Sequence, residues 1–283
     1  MGIVYFNGQY MPKDEVKISP DDRGFLFGEG IYEVARWYDS FFFDMEGHLA
    51  RLKRNLREIQ ITWPEEDSFP AIGGELIRQN NIGRSPALVY IEVTRGVAER
   101  THSYPSPPVS PTVYASARIF VPENSGKESG IGIMLKEDIR WERCDIKSIA
   151  LLPNTMCFQE AQSKGYFECA FVKNGTITEC SHSNIFFVVN GILYTHPESS
   201  RVLSGITRKN IIRIARKAGI LVKEEGVTRE MLSRVGEAFI SNTSGEVTPV
   251  TAIDSLVIGN GKPGPLTRII RERFYDEICA LKH

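Results

Sequence analysis

The chain has 283 residues, of which 42% are apolar and 24% charged, and its formal net charge is −1 at pH 7. This length accommodates one large domain or two ordinary ones, and the composition is that of a globular protein. The near-neutral charge does not indicate nucleic acid or an acidic membrane surface as a partner, and no apolar run reaches the about 18 residues of a membrane span.

The N-terminal half predicts a sheet with two helices. A hairpin is indicated by Asn7-Gly8 between two short strands. Segment 23–30 places three glycines among aromatic residues, and we interpret it as a tight loop under a pocket or an interface. Further strands are predicted at 31–38, 41–43, 87–94 and 113–121, and helices at 45–59, capped by Asp44, and at 69–80.

The C-terminal half follows a polar segment, 122–130, whose glycine and serine content predicts a linker. Strand and helix patterns occur on both sides of it, so we expect an α+β fold with a smaller N-terminal domain, 1–121, and a larger C-terminal domain, 131–283. Strands are predicted at 131–139, 168–173, 185–189, 192–194 and 238–241. Helices are predicted at 154–164, at 206–218 after a Ser204 cap, after a Thr228 cap, and at 265–281.

The cysteines predict a reducing environment. No two of the five form a CxxC pair, and the N-terminus lacks the plan of a signal peptide. Reduced thiols in a cytoplasmic protein are therefore expected, and no metal site is expected. The cysteines are Cys144, Cys157, Cys169, Cys180 and Cys279.

Lys147 is the first candidate for chemistry. It ends a charged, extended stretch, and the apolar residues Ile146 and Ile149 lie close to it in the sequence. A lysine beside a surface of low dielectric constant loses its proton more readily and can act as a nucleophile. A surface lysine at a strand end is the alternative that this stretch alone leaves open.

Three features indicate a phosphorylated aldehyde with which a lysine would condense. Small residues and a hydroxyl at 203–208 open a predicted helix, where free N–H groups bind anions. Segment 241–246 offers hydroxyl groups and a glycine turn after a strand. Arg51 interrupts an apolar helix face, and an inward arginine needs an anion. The alternatives are an ordinary cap, a common loop and an arginine that extends to solvent.

Glu179 places a carboxylate at a strand end before a loop of small residues. A carboxylate beside a pyridine nitrogen keeps that nitrogen protonated, so that the ring accepts electrons from a substrate carbanion. An exposed turn glutamate is the alternative. His182, in the same loop, either lines a pocket or faces solvent.

In the order and spacing of these segments the chain resembles the fold type IV pyridoxal-phosphate aminotransferases, and within them the D-amino acid aminotransferases. The resemblance covers nearly the whole chain. It implies a two-domain α+β fold that binds pyridoxal 5'-phosphate in the cleft between the domains. The matching segments are 22–33, 48–52, 93–105, 138–148, 178–184 and 205–208.

The resemblance also implies roles for individual residues. Those for the cofactor are Lys147 as the Schiff-base lysine, Glu179 as the partner of the pyridine nitrogen, and Arg51, Ile206, Thr207 and Ser244 as phosphate ligands. Those for the substrate are Tyr32 in the pocket and the pair Arg100 and His102 on the α-carboxylate. In the family this pair reaches in from the neighbouring subunit, so a homodimer is implied.

The expected activity is ping-pong transamination between D-amino acids (D-alanine, D-glutamate) and 2-oxo acids (pyruvate, 2-oxoglutarate). Alternatives within the fold are a branched-chain L-aminotransferase, an R-amine transaminase and an aminodeoxychorismate lyase, and Arg100-Thr-His102 argues against them. A catalytically silent scaffold is a further alternative. Cys180 replaces a common glycine and Ala150 a frequent asparagine, and either residue is expected to affect rate or cofactor affinity.

Overall fold

The computed structural model describes residues 2–122 and 125–281, which form two compact units. The first unit comprises 2–121 and Ile146–Leu151, and the second comprises the remaining described residues up to Leu281. Residues 123 and 124 of the expected linker lie outside the described residues, and Ser125–Ser129 form a short helix. The expected domain boundaries stay a prediction.

Segment 146–151 joins the first unit although the sequence placed it in the C-terminal domain. Ile31 and Ser148 form an isolated antiparallel bridge, and the Ile149 N–H donates to the Gly30 carbonyl at 3.1 Å. Ile146 is 5% exposed and belongs to the apolar core of the first unit. Pairing and burial therefore attach this segment to residues far from it in the sequence.

The first unit is built on a six-stranded antiparallel sheet in the order β2-β1-β6-β5-β3-β4, counted over its described residues. The strands are β1 (Ile3–Phe6), β2 (Gln9–Pro12), β3 (Gly30–Tyr38), β4 (Phe41–Phe42), β5 (Ala87–Thr94) and β6 (Thr112–Ile119). The helices are α1 (Arg23–Phe27), α2 (Met45–Glu58) and α3 (Phe69–Gln79).

Alternation along the strands decides which face of this sheet forms the core. Ile31 and Ile91 are fully buried and pack in one cluster with Leu52 of α2 and Leu76 of α3. Burying a leucine or isoleucine side chain stabilises a fold by about 1.5–3 kcal/mol. Tyr32, on the opposite face, is only half-buried. The helices thus cover one face and leave the other for polar and aromatic side chains.

The tight loop expected at 23–30 is wrong in part, because residues 23–27 form helix α1. The Asp22 side chain accepts from the Gly24 N–H at 2.8 Å, which starts the helix. Gly28 ends it with a φ of 69°, a left-handed conformation that glycine adopts without strain.

The second unit is built on a mixed ten-stranded sheet, counted over its described residues, in which β7 runs parallel to β8 and β15. The strands are β7 (Ile131–Glu137), β8 (Glu168–Lys173), β9 (Thr176–Cys180), β10 (Asn184–Val189), β11 (Ile192–Thr195), β12 (Val222–Glu224), β13 (Val227–Thr228), β14 (Glu237–Asn242), β15 (Glu246–Ile253) and β16 (Leu256–Val257). The helices are α4 (Ser125–Ser129), α5 (Leu152–Ser163), α6 (Ile206–Lys217) and α7 (Pro265–Ala280).

Strand β15 is the largest element that the sequence did not predict. It pairs with β14, β16 and β7 although it contains Pro249, which lies opposite Phe239. A proline ordinarily indicates an edge strand or no strand, since it lacks an N–H donor. All five cysteines are free thiols. Among the described residues, none of the helices has the length and apolarity to cross a membrane.

Candidate active site

Lys147 lies beside strand β3 in the first unit. The Tyr32 N–H donates to the Lys147 carbonyl at 3.0 Å, which fixes the backbone at the lysine. The Lys147 side chain is half-buried, and its Nζ is 4.1 Å from the centroid of the Tyr32 ring. An aromatic face stabilises an ammonium group at this distance. The structure therefore brings together two residues that the sequence predicted for the site.

Arg51 is buried on α2 and does not extend to solvent. Its Nε donates to Glu33 Oε1 at 2.6 Å and its Nη2 to Glu33 Oε2 at 2.9 Å, while His48 Nδ1 lies 2.9 Å from the same Oε2. Burial alone would raise the pKa of the Glu33 carboxyl, but Arg51 and His48 together hold that pKa well below its usual range. Glu33 supplies the anion that an inward arginine needs, and the phosphate contact of Arg51 stays a prediction.

Arg100 and His102 lie on an exposed loop that bends at both residues, so they are not part of a strand. The reason is a turn in which the Thr101 N–H donates to the Glu99 carbonyl at 2.8 Å. Both side chains nevertheless contact one ring. The Arg100 guanidinium carbon lies 5.2 Å from the Phe27 centroid, and the His102 centroid lies 5.9 Å from it.

Arg23 anchors this loop from below. Its Nη1 donates to the Thr101 carbonyl at 2.8 Å, its Nε and Nη2 bind Glu29 at 2.8 and 2.7 Å, and its guanidinium lies 4.6 Å from the Phe27 centroid. Arg23 is fully buried. Arg23 and Phe27 were not singled out from the sequence, where the only signal was their place in a glycine-rich aromatic segment.

Glu179 lies on β9 in the second unit and its side chain is 6% exposed. Its Oε1 accepts from Arg140 Nη1 at 2.6 Å, and its Oε2 accepts from the Asn184 amide at 3.1 Å and the Leu203 N–H at 2.9 Å. Burial raises the pKa of this carboxyl above its usual value, and the charge of Arg140 opposes the rise. An exposed turn glutamate is therefore excluded.

Helix α6, which carries Ile206 and Thr207, begins next to the residues that hold Glu179. It starts after Gly205, and a Cβ added at Gly205 would lie 2.0 Å from Asn184 Oδ1. Ile206 and Thr207 are buried in the first turn, where backbone N–H groups have no partner within the helix. The expected Ser204 cap is wrong, because this hydroxyl donates to Glu198 at 2.7 Å and Gly205 occupies the cap position.

The end of β14 adds hydroxyl groups to the same region. Ser241 is the register partner of Asn184, is 2% exposed, and its hydroxyl has no hydrogen-bond partner within the described part of the chain. Ser244 follows in the turn and donates to Asn242 Oδ1 at 3.1 Å. A buried hydroxyl without a partner costs free energy, so Ser241 is a donor suited to a bound ligand.

The carboxylate of Glu168 binds the loop that follows Glu179. Sequence patterns did not identify this residue. This fully buried carboxylate accepts from the hydroxyls of Ser181 and Ser183, both at 2.9 Å, and lies 2.9 Å from His182 Nδ1. Burial would raise its pKa, but the interaction with His182 brings it below the usual value. His182 is thus paired through one nitrogen and 46% exposed, so neither sequence interpretation describes it fully.

The chain belongs to the class IV aminotransferases. The family model described as "Amino-transferase class IV" matches residues 30–253. The D-alanine aminotransferase of Staphylococcus haemolyticus is 41% identical over 273 residues, which cover 96% of both chains. The branched-chain amino acid aminotransferase of Escherichia coli has a TM-score of 0.91 and 27% identity, with 97% of this chain and 94% of that one covered. The fold type predicted from the resemblance is confirmed.

Pyridoxal phosphate is the cofactor of class IV aminotransferases. A branched-chain amino acid aminotransferase from T.th., solved with pyridoxamine 5'-phosphate, has a TM-score of 0.88 and 25% identity, with 96% of this chain and 93% of that one covered. Each unit, taken by itself, holds groups that fit such a cofactor. The first unit holds the amine of Lys147, and the second holds the buried carboxylate of Glu179 and, beside the start of α6, the unpartnered Ser241 hydroxyl. The cofactor prediction is confirmed at the level of the family.

Proposed function

We propose that this chain transfers amino groups between D-amino acids, D-alanine and D-glutamate among them, and 2-oxo acids such as pyruvate and 2-oxoglutarate. The fold alone does not decide this, since the chain also superposes closely on a branched-chain enzyme. The observation that carries the proposal is the contact of Arg100 and His102 with the single ring of Phe27. This contact places two nitrogen-bearing side chains beside the same ring, as a clamp for a substrate carboxylate requires. The name of the 41% identical relative supports it.

We assign the cofactor contacts by residue. Lys147 is the residue that bonds pyridoxal phosphate covalently, and Glu179 faces the ring nitrogen. Arg51 and the first turn of α6 at Ile206 and Thr207 bind the phosphate by charge and by backbone N–H groups. Ser244 adds a hydroxyl donor. Ile206 and Thr207 are buried, and the backbone N–H groups in the first turn of a helix have no partner within the helix, which supports their role.

When bound, pyridoxal phosphate supplies an electron-accepting ring that carries the amino group between the two substrates. With the cofactor in place, Lys147 Nζ would take the proton from the substrate Cα as a base and would deliver it, as an acid, to the cofactor carbon that receives the amino group. Glu179 keeps a negative charge beside the ring nitrogen, which favours the protonated ring. The aromatic face of Tyr32, 4.1 Å from Lys147 Nζ, stabilises the ammonium that forms once Lys147 has taken the proton.

Arg100 and His102, which we call the carboxylate clamp, decide which enantiomer of the substrate is used. The Cα–H bond must point towards Lys147, so the carboxylate and the side chain compete for the two remaining directions. A carboxylate placed away from Arg100 and His102 would lose its ionic partners, which costs several kcal/mol in a buried site. The arrangement therefore selects one enantiomer, and we assign it as D.

A cytoplasmic homodimer is part of the proposal. Arg100 and His102 are exposed within one chain. This exposure supports a role in the active site of a second copy, because a clamp that desolvates a carboxylate must itself be covered. Gel filtration with light scattering tests it: twice the mass of 31.9 kDa is expected, and a monomer that retains full activity would contradict the assignment.

The test of the function is Arg100→Leu assayed with two amino donors. For D-alanine, kcat/KM should fall by at least about tenfold to a hundredfold, since one charge-assisted contact contributes about 1.5–3 kcal/mol. For R-phenylethylamine, which has no carboxylate, any activity should change much less. Equal losses for both donors, or an unchanged rate with D-alanine, would remove the clamp. A preference for L-leucine in the parent protein would favour the branched-chain alternative.

A second experiment tests Lys147. Borohydride reduction of the coloured protein followed by peptide mapping should find the cofactor on Lys147, and Lys147→Ala should bind cofactor without the covalent bond and lose nearly all turnover. A colourless protein that takes up no pyridoxal phosphate would instead indicate the silent scaffold.

A further inference from the structure

Glu179, Arg140 and Asp138 form a buried chain of three charged side chains. Arg140 Nη1 donates to Glu179 Oε1 at 2.6 Å. The other edge of the same guanidinium binds Asp138, through Nε to Oδ1 at 3.0 Å and Nη2 to Oδ2 at 2.9 Å. The side chains of Arg140 and Asp138 are each 5% exposed. Arg140 thus links two carboxylates that are both almost fully buried.

Arg140 is held firmly in this position. Its guanidinium lies 4.3 Å from the centroid of the Phe171 ring and also donates to the Arg201 carbonyl at 3.2 Å. Its backbone N–H donates to Asp138 Oδ1 at 3.0 Å. The arginine therefore presents a fixed charge to Glu179, whereas an exposed arginine would lose much of that interaction to solvent and to side-chain motion.

The positive charge that stabilises the Glu179 carboxylate comes from Arg140. Among the described residues it is the only cation within bonding distance of Glu179, whose remaining donors are the neutral Asn184 amide and the Leu203 N–H. Asp138 opposes it as a nearby negative charge. Burial raises the pKa of the Cys144 thiol to about 12, so this neighbour of Arg140 and Glu179 stays neutral. Burial also raises the pKa of Cys180 well above its usual value.

The carboxylate form of Glu179 therefore depends on its ion pair with Arg140. Burial already raises its pKa even though Arg140 bonds it directly. Removing the guanidinium would leave desolvation and the charge of Asp138, and both favour the neutral acid. A neutral carboxylic acid offers a proton to a ring nitrogen and does not stabilise a protonated one. The position of a proton shared between Glu179 and the ring nitrogen would therefore depend on Arg140, which acts through its bond to Glu179.

We propose that Arg140 is a positioning residue that keeps Glu179 a carboxylate, and that the negative charge of Asp138 weakens this effect of Arg140. Arg140 holds the shared proton on the ring nitrogen, and Asp138 acts in the opposite direction by drawing the guanidinium towards itself. The inference rests on the proposed role of Glu179 opposite the ring nitrogen. It adds that the electron-accepting state of the cofactor is set by the Asp138–Arg140 pair.

Two substitutions that should shift the titration midpoint of Glu179 in opposite directions test the inference on the holoenzyme. Arg140→Met removes the cation at similar length, and Asp138→Asn removes the opposing charge but keeps an oxygen for the Arg140 N–H. Infrared spectra recorded against pH follow the Glu179 carboxyl band, identified by its absence in Glu179→Gln. The titration midpoint should move to higher pH in Arg140→Met and to lower pH in Asp138→Asn. Arg140→Lys, which keeps the charge, should lie nearest to the parent.

The protonation state of the cofactor ring nitrogen is the second measurement. With ¹⁵N-labelled cofactor, the ring nitrogen should be protonated in the parent and in Arg140→Lys, and unprotonated at neutral pH in Arg140→Met. The kcat of Arg140→Met should fall about tenfold or more, the equivalent of one lost charge-assisted hydrogen bond, with KM little changed. A role confined to stability would lower the melting temperature without moving either titration.

The outcomes separate this inference from the function itself. If Glu179→Gln leaves the nitrogen protonation unchanged, Glu179 does not serve the ring, and the proposed function loses that residue. If Glu179→Gln deprotonates the nitrogen but Arg140→Met does not, Glu179 keeps its role and the inference about Arg140 is wrong. Should Arg140→Met fail to fold, Asp138→Asn still decides, because an unchanged or higher midpoint there overturns the proposal.

Discussion

Replacing Glu33 by glutamine should be among the most destabilising single substitutions in the first unit. The Glu33 carboxylate is completely buried and takes two hydrogen bonds from Arg51, at 2.6 and 2.9 Å, and one contact from His48 at 2.9 Å. Glutamine keeps the shape but removes the charge, so the buried Arg51 guanidinium loses its ionic contact with Glu33. Breaking a buried ion pair in this way costs about 3–5 kcal/mol.

The assay is urea denaturation of Glu33→Gln and the parent protein at pH 7, with the control Glu75→Gln. Glu75 forms the same two-point contact with Arg78, at 2.8 and 2.5 Å, but the Arg78 side chain is 72% exposed. Exposed pairs of this kind contribute little to stability. The control should therefore unfold with the parent, and Glu33→Gln at a clearly lower urea concentration.

The dependence of unfolding on pH tests the same ion pair. The pKa of Glu33 is lowered on folding, so the unfolded chain binds the proton first as the pH falls. The stabilisation is fully present at neutral pH and is lost as the pH falls below the usual range of a glutamate. The difference between the parent and Glu33→Gln should shrink accordingly. A difference below about 1 kcal/mol at pH 7, or one that does not shrink in acid, would refute the buried ion pair.

Three further substitutions test other contacts. Arg51→Ala should weaken cofactor binding about tenfold to a hundredfold in a fluorescence titration, and an unchanged dissociation constant would limit Arg51 to its role in the core. Phe27→Leu should raise KM for D-alanine about two- to fivefold with little change in kcat, because the ring that contacts Arg100 is lost. Equal KM values in the variant and the parent would show that the Phe27 ring does not hold Arg100 in place. Gly205→Ala should destabilise the protein by about 1–3 kcal/mol, measured by its melting temperature, since the new Cβ would lie 2.0 Å from Asn184 Oδ1; melting with the parent would contradict that close approach.

Local patterns predicted the secondary structure well where propensity and burial agree. Strand β8 was expected at its observed bounds, and helix α3 ends within one residue of the prediction. Strand β15 was missed because Pro249 argues against a strand, although its other residues pair normally. Helix α1 was missed because glycines masked a start that Asp22 caps.

The site was predicted less completely than the fold, because ion-pair partners depend on register. Lys147, Glu179 and Arg51 were identified as candidates, but Glu33 lies 18 residues before Arg51 and Arg140 lies 39 residues before Glu179. No local pattern joins residues so far apart. One signal was available: Glu33 occupies a position between inward-facing residues of β3, where a charged side chain needs a buried partner.

The direct test of the central claim is the initial rate of amino transfer from D-alanine and from L-alanine to 2-oxoglutarate, measured on the same preparation saturated with pyridoxal phosphate. The account predicts rapid pyruvate formation from D-alanine and far slower formation from L-alanine. L-alanine used as fast as D-alanine would contradict it, because the clamp of Arg100 and His102 would then not select the enantiomer.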